Sequence, residues 1–176
     1  MRKTILFIAT SLDGYISDNN GDVNWLEEQN NDNKNIDTYS EFIKNVDTII
    51  MGWNTYHQIV TQLSPSEWPY TGINTYVITH NKKFSSKEIH FTNVSPSELL
   101  KELKTTNGKN IWICGGANIV QQLIKENLID EYYISVIPIL LGNGIPLFKK
   151  IPVQINLSLK EIRNNNGIAE LVYRKR

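Results

Sequence analysis

Glycines follow two apolar stretches of the chain, and their spacing fits the binding of phosphate. Gly115 and Gly116 come directly after the apolar run 111–114, and apolar residues at helical spacing follow them. Gly52 comes after the run 49–51, with Asn54 and Thr55 close behind. A backbone without Cβ atoms lets a phosphate approach, and a helix N-terminus favours negative charge. Each junction can equally be a plain turn between a strand and a helix, with Asn54 or Thr55 as the helix cap.

Polar residues follow two further predicted strands. The run 5–9 leads into a loop rich in glycine, aspartate and asparagine, where Asp13 is either a ligand group or a residue that caps the turn. His80, Lys82 and Lys83 form a compact basic cluster after the strand predicted at 74–79. This cluster is either a solvated loop or a site for an additional phosphate.

Recognisable motifs for other chemistry are missing. The sequence contains no P-loop, no GxGxxG, no GxSxG and no HExxH. The three histidines (His57, His80 and His90) are scattered, so we expect no metal. The single cysteine, Cys114, excludes a disulfide within one chain, and we interpret it as a small buried hydrophobe. An enzyme that uses a nicotinamide cofactor needs little acid–base machinery, because the cofactor carries the hydride, so this poverty of motifs weakly favours a reductase.

Length and charge restrict the class of protein. The chain has 176 residues, the size of one domain, and its 18 basic and 18 acidic residues cancel without long blocks of one sign. This balance gives no electrostatic case for nucleic acid or an anionic membrane. The N-terminal run resembles the start of a signal peptide but is too short, and no stretch reaches membrane-spanning length. We therefore expect a cytoplasmic protein with a single domain over residues 1–176.

The elements that must position these residues alternate between strand and helix. Apolar runs predict strands at 5–9, 47–51, 74–79, 89–93 and 110–114, and helical spacing predicts helices after residue 38, over 56–63, after Ser95 and over 120–128. Thr38 and Glu41 fit a capping box, an interpretation that we prefer to a catalytic role for Glu41. One long strand is expected over 132–141, with an edge or bulge at Pro138. A hairpin of strands at about 153–162 and 168–174 ends the chain.

Six segments in chain order carry a family resemblance. They are Phe7 to Ile16, Trp25-Leu26, Ile50 to Tyr56, Tyr76 to Thr79, Cys114 to Ala117 and Pro138 to Phe148. Each is weak alone, but together they cover essentially the whole chain and resemble the dihydrofolate reductase superfamily. The closest branch contains the reductase domain of bifunctional riboflavin-biosynthesis deaminase-reductases and many small stand-alone bacterial proteins.

This resemblance implies an α/β fold with a mixed, mostly parallel sheet flanked by helices, and NADPH bound along the strand ends, commonly in a homodimer. Ala9 and Ile16 would border the nicotinamide, and Thr79 and His80 would lie near the adenosine. The residues that would meet the phosphates are Gly52, Asn54, Thr55, Gly115, Gly116, Ala117, Asn118 and Ile119. Asp13 and Trp25 would face the substrate pocket.

The chain departs from the family pattern at two places. Relatives usually carry arginine at the position of Trp53, where it meets the 2′-phosphate of the cofactor. NADH is therefore possible unless Lys82, Lys83 or His80 substitutes, and Trp53 can instead stack on the adenine. Dihydrofolate reductases also hold an acid on the first helix, where this chain offers only Asp37 and Glu41.

The sequence thus predicts an NAD(P)H-dependent reductase of a small pterin-like or pyrimidine-type substrate. Asp13 is the candidate catalytic residue, either to orient the substrate or to protonate it. Three alternatives stay open: a dihydrofolate reductase proper, which the poor match of Asp37 and Glu41 disfavours, a non-catalytic nucleotide-binding module that kept the fold, and a purely structural domain.

Overall fold

The computed structural model describes residues 2–27, 38–81, 83–149 and 154–176. The strands of this part are β1 (Thr4–Ser11), β2 (Tyr15–Ser17), β3 (Val46–Gly52), β4 (Asn74–Ile78), β5 (Ile89–Thr92), β6 (Asn110–Gly115), β7 (Glu131–Ile137), β8 (Ile145–Pro146), β9 (Leu157–Asn165) and β10 (Ile168–Lys175). The α-helices are α1 (Thr38–Ile43), α2 (Trp53–Gln58), α3 (Pro96–Thr105) and α4 (Ala117–Lys125). Asp37, Lys82 and most of the polar segment before Thr38 lie outside the described residues.

One eight-stranded sheet organises the described residues, in the order β5-β4-β3-β6-β1-β7-β10-β9. The first six of these strands pair in parallel, whereas β10 runs antiparallel to both β7 and β9. β2 and β8 form a separate antiparallel pair. The predicted mixed, mostly parallel sheet with an antiparallel hairpin at its end is confirmed.

The central strands bury side chains on both of their faces, as the continuous apolar runs predict. On the first face, Leu6, Ile50 and Ile113 pack with α3 and α4. On the second face, Ile5, Ile49 and Trp112 pack with Phe42 of α1. Fully burying a side chain of this size stabilises the fold by about 1.5–3 kcal/mol. The two cores together hold β1, β3 and β6 side by side.

Local signals account for several element ends. Ser95 and Glu98 form a capping box at the start of α3, with Pro96 in the first helical position. The hairpin between β9 and β10 turns at Asn166 and Gly167, whose φ angles are 51° and 83°. Two consecutive residues with positive φ are typical of the tight turn that Asn-Gly favours. α3 ends at Thr105, just before Asn107-Gly108, a residue pair that is typical of the end of a helix.

Several predicted elements are wrong in extent. The helix expected over 120–128 spans Ala117–Lys125, and the strand expected at about 153–162 spans Leu157–Asn165. The strand expected over 132–141 ends at Ile137, because Pro138 has no N–H to continue the ladder, and β7 is an internal strand with no edge at Pro138. The helix expected over 56–63 begins at Trp53 and changes to a π-helical turn at Ile59–Leu63. Apolar spacing alone does not distinguish these helix types.

None of the helices in the described ranges is long and apolar enough to cross a membrane.

Candidate functional site

The carboxyl ends of four parallel strands bring the predicted residues to one edge of the sheet. Thr79, Gly52, Gly115 and Ala9 stand at or near the ends of β4, β3, β6 and β1, which is the order of these strands in the sheet. The chain leaves β1 toward α1 on the second face and leaves β6 toward α4 on the first face. Open α/β sheets bind ligands where neighbouring connections part in this way, and we call this part of the sheet edge the crevice. Residues 7–9 of the central strand β1, which lead up to it, are half exposed.

The β3 and β6 junctions pack against each other at their glycines. A Cβ atom on Gly52 would lie 3.3 Å from the Ile119 side chain, and one on Gly116 would lie 3.5 Å from the Thr55 hydroxyl. Gly115 has a φ of 130°, which residues with a side chain rarely adopt, and its peptide bond to Gly116 is cis. The Thr55 hydroxyl therefore lies beside the Gly115-Gly116 backbone, so both junctions form one surface.

Both helices that start at this surface lack a side-chain cap. Gly52 is the N-cap of α2 and Gly116 is the N-cap of α4, and neither helix start receives a side-chain hydrogen bond. Asn54 and Thr55 thus do not cap α2. The first N–H groups of a helix without a cap remain available to a ligand, and the helix dipole favours an anion there. The arrangement fits a pyrophosphate, with Asn118 exposed in the first turn of α4.

Trp53 lies beside a cation at the far end of this edge. The Lys83 ammonium lies 5.1 Å from the centre of the Trp53 ring, which is cation–π distance. On the same indole, the ring centres of Trp53 and His57 are 5.6 Å apart. His80 is exposed, whereas Thr79 is buried and its hydroxyl accepts a 3.0 Å hydrogen bond from the Asn81 N–H. Of the three residues proposed to replace an arginine, Lys82 lies outside the described residues, and of the other two Lys83 is the one that the structure brings to Trp53.

Asp13 joins two loops at the other end of the crevice. Its carboxylate accepts hydrogen bonds from the Ser11 hydroxyl at 2.6 Å and from the N–H groups of Leu141 and Gly142 at 3.1 and 2.7 Å. The Ser11 hydrogen bond is the main cause that lowers the pKa of Asp13. An ionised carboxylate that is held in this way is a poor proton donor. Of the two roles expected for Asp13, these contacts favour the orienting one.

Further backbone contacts hold the same two loops together. The Leu12 N–H donates to the Ile139 carbonyl, the Leu147 N–H donates to the Gly14 carbonyl, and β2 pairs with β8. Gly144 has a φ of 149°, and a Cβ atom there would collide with the Ser17 carbonyl oxygen. The segment between β7 and β8, residues 138–144, which we call the glycine loop, is thus a fixed wall of the crevice next to Asp13.

The remaining predicted residues occupy different surroundings. Ile16 packs against the first-face core, while Ala9 is partly exposed on the second face of β1. Trp25 is buried, and its indole N–H has no hydrogen-bond partner in the part of the chain that the structure describes. Asp13 bonds to Ser11 and the glycine loop, and no hydrogen bond joins it to Trp25. The structure therefore brings Asp13 together with the glycine loop rather than with Trp25.

Cys114 lies on the second face, beside two tyrosines. The thiol bonds to the Tyr70 hydroxyl, and burial raises the pKa of Cys114 to about 12. Burial also raises the pKa of Tyr39 and of Tyr70. All three groups are protonated at neutral pH, so Cys114 is not a thiolate nucleophile. Tyr70 is far from Cys114 in sequence, so no local sequence pattern predicts that these two side chains meet.

No group of three or more side chains in the described ranges could hold a metal ion.

Comparisons with known proteins identify the family of the chain. The profile of the RibD C-terminal domain matches residues 2–167. The Bacillus subtilis protein YwjB is 39% identical over 173 residues, which cover 98% of this chain and 97% of that protein. A putative riboflavin biosynthesis protein from Shewanella sp. PV-4 superposes with a TM-score of 0.86 at 28% identity, covering 99% of both chains. The Thermotoga maritima diaminohydroxyphosphoribosylaminopyrimidine deaminase/5-amino-6-(5-phosphoribosylamino)uracil reductase shares the fold, with a TM-score of 0.70, 14% identity and coverage of 99% of this chain and 57% of its own.

The contacts of Asp13 predict a pH-dependent contribution to stability. Because the folded pKa lies below the ordinary 3.8, the ionised carboxylate stabilises the fold above that pH, and this effect is lost as the pH falls through the folded value. Asp13→Asn is therefore expected to be less stable than wild type at neutral pH, and the difference should shrink below about pH 4. Urea unfolding across pH measures it. Ser11→Ala should move the loss to higher pH, and a pH-independent difference would contradict the assignment.

Proposed function

Because the chain belongs to the RibD C-terminal domain family, we propose that it is a reductase that binds NADPH and acts on a small pterin-like or pyrimidine-type substrate. The observation that carries this proposal is the meeting of two glycine-capped helix starts at the carboxyl edge of the sheet. The structure offers a direct contrast, because the start of α3 is closed by Ser95 and Glu98 whereas α2 and α4 have no side-chain cap. Their free N–H groups suit an extended ligand with phosphates.

The residues along the edge have distinct roles in this proposal. The junctions at Gly52 and Gly115-Gly116 bind the pyrophosphate, and Thr55 adds a hydroxyl beside it. Ala9, with its small side chain, leaves room for the nicotinamide on the half-exposed part of β1. When bound, the cofactor supplies the hydride. Asp13 holds the glycine loop in place as a wall of the substrate pocket.

The substrate class rests on the relatives. The Thermotoga maritima protein is described as a reductase of an aminouracil, which is an amino-substituted nitrogen heterocycle. A ring of this kind is flat. On the second face of the sheet, Ser135 of β7 pairs with Ala9, and Cys114 lies on β6, the neighbouring strand on the other side of β1. A planar, polar ring fits this surface.

One observation favours a second candidate, a nucleotide-binding module without turnover. Asp13 has a lowered pKa, and the Cys114 thiol stays protonated up to about pH 12, so neither group is tuned to exchange a proton near neutrality. Such a module would bind NADPH but would not oxidise it when pterins or aminopyrimidines are added. A turnover assay with these substrates separates the two candidates.

The pyrophosphate site predicts the effect of one added charge. Asn118→Asp places a carboxylate in the exposed first turn of α4. The helix dipole stabilises a negative charge there, so the fold is kept, but the carboxylate repels a bound phosphate. We expect the Kd for NADPH to rise about tenfold, which corresponds to about 1.4 kcal/mol. Fluorescence titration of NADPH measures the change.

Asn107→Asp, which adds the same charge on the exposed segment after α3, is the matched control and should leave the Kd unchanged. Failure of the wild-type protein to bind either NADPH or NADH at millimolar concentration would overturn the proposed function.

Lys83 predicts the preference between the two cofactors. Its ammonium lies over Trp53, and we propose that it takes the part of the missing arginine toward the 2′-phosphate, with Trp53 against the adenine. Lys83→Gln should weaken NADPH binding about tenfold or more and leave NADH binding nearly unchanged, because only NADPH carries that phosphate. Trp53→Arg should raise the preference for NADPH. Lys87→Gln, in the same connection, is the control, and an unchanged NADPH/NADH ratio in Lys83→Gln would refute the assignment.

We further propose that the protein is a homodimer. On the first face, α3 and α4 cover the central strands but not the end of the sheet formed by β7, β10 and β9. An apolar cavity of about 290 Å³ lies at this uncovered end. Leu159 and Ile162 of β9 are 50% and 63% exposed. They pair with Tyr173 and Leu171, which line the cavity. An apolar face of this kind on a protein surface favours association with a second copy.

This proposal predicts the result of charging that face. The double variant Leu159→Glu, Ile162→Glu should convert a wild-type dimer into a monomer of 20.2 kDa, because burying two carboxylates is costly. Light scattering after size exclusion measures the mass. Leu63→Glu, at another exposed leucine, should leave the dimer intact, and a monomeric wild type would contradict the proposal.

A further inference from the structure

Glu170, on β10, is the one buried acidic side chain among the described residues, at 8% exposed. Burying a carboxylate is costly unless other groups satisfy it. The Thr38 hydroxyl donates to its Oε2 at 2.6 Å, and the Asn165 amide donates to its Oε1 at 3.2 Å. None of the ion pairs of the described residues includes Glu170, since the neighbouring Arg163 pairs with Glu161 and Glu41. Glu170 thus has no ion-pair partner among the described residues, and two neutral donors hold its carboxyl group in place.

The strand registers align Glu170 with the proposed nicotinamide position. Ala9 of β1 pairs with Ser135 of β7, and Ser135 pairs with Glu170 of β10. In-register residues of paired strands point to the same face, and neighbouring strands are about 4.8 Å apart, so the Cα atoms of Ala9 and Glu170 are roughly 10 Å apart. This is the second face, which α1 covers with Thr38 and Phe42. Ala9 and Ser135 are half exposed, so an accessible surface leads toward Glu170.

The hydrogen-bonding capacity of Glu170 is only partly used. Each carboxylate oxygen has two lone-pair sites, and Thr38 and Asn165 occupy one on each oxygen. One acceptor site per oxygen is left. The Ser135 hydroxyl, between Glu170 and Ala9, makes no hydrogen bond within the part of the chain that the structure describes. A carboxylate with two parallel acceptor sites recognises a ligand that presents two adjacent N–H groups.

We propose that Glu170 selects the substrate, by accepting two hydrogen bonds from the amino group and adjacent ring N–H of an amino-substituted nitrogen heterocycle. This inference rests on the proposed function, because it uses Ala9 as the position of the nicotinamide. Ser135 contacts the ring between the carboxylate and Ala9. The acid that recognises the substrate therefore comes from the last strand of the sheet, and the first helix contributes the Thr38 hydroxyl that orients it.

Two bicyclic probes test this assignment by equilibrium binding. Pterin presents an amino group beside a ring N–H, whereas lumazine has a carbonyl oxygen in place of that amino group, which a carboxylate repels. In the presence of saturating NADPH, wild type should bind pterin at least tenfold more tightly than lumazine, as measured by the fluorescence of each probe. Glu170→Gln, which exchanges one acceptor for a donor at nearly the same shape, should abolish or invert this preference.

The controls separate recognition from a structural role. Glu161→Gln removes a nearby exposed carboxylate that pairs with Arg163, and it should keep the wild-type ratio. A purely structural Glu170 would lower thermal stability in Glu170→Gln without changing the pterin/lumazine ratio, and that result would overturn the inference. If Glu170→Gln does not fold, Glu170→Asp, which keeps the charge but shortens its reach, should lose at least tenfold in pterin affinity.

The failure of this inference is distinguishable from failure of the proposed function. Equal binding of pterin and lumazine by wild type, together with normal NADPH binding, would overturn the role of Glu170 and leave the cofactor site standing. Absence of NADPH binding would overturn the proposed function itself.

Discussion

The parallel pairing of β6 between β1 and β3 is the constraint on which the rest of the structure depends. It places the ends of three strands side by side, so that residues from distant parts of the chain share one edge. The register is held because both faces are buried. A slip by one residue would exchange side chains such as Ile49 and Ile50 between two cores that have different shapes. The close approach of Gly52 to Gly116 follows from this pairing.

The two ends of the crevice have opposite electrostatic character. One end carries the positive ends of α2 and α4 and the Lys83 ammonium, with no acidic side chain among the contacts described there. The other end carries the carboxylates of Asp13 and Glu170, and uncharged groups donate hydrogen bonds to both. An anionic cofactor and a substrate rich in N–H groups would thus be drawn to different ends of one surface.

Local pattern accounts for the strands, the glycine junctions and the hairpin turn, because each of these depends on residues a few positions apart. It could not find the partners of Glu170. An acidic residue in an alternating C-terminal strand normally faces solvent, and only the insertion of β10 between β7 and β9 under α1 buries this one. Lys83 and Trp53 are 30 positions apart in number and meet through the β4–β5 connection. The prediction that β7 extends to residue 141 is wrong for another reason. Pro138 has no N–H, so the strand ends before it instead of continuing with a bulge.

The hydrogen bond between Thr38 and Glu170 spans 132 positions of the chain, and this separation orders the assembly of the molecule. During synthesis from the N-terminus, the glycine junctions after β3 and β6 and the helix α4 leave the ribosome before β10 exists. Contacts this distant in sequence require a large loop to close before they contribute, so they form slowly. The edge formed by β3, β6 and α4 can therefore assemble from early segments, whereas the contact between α1 and Glu170 has to wait for the last strand.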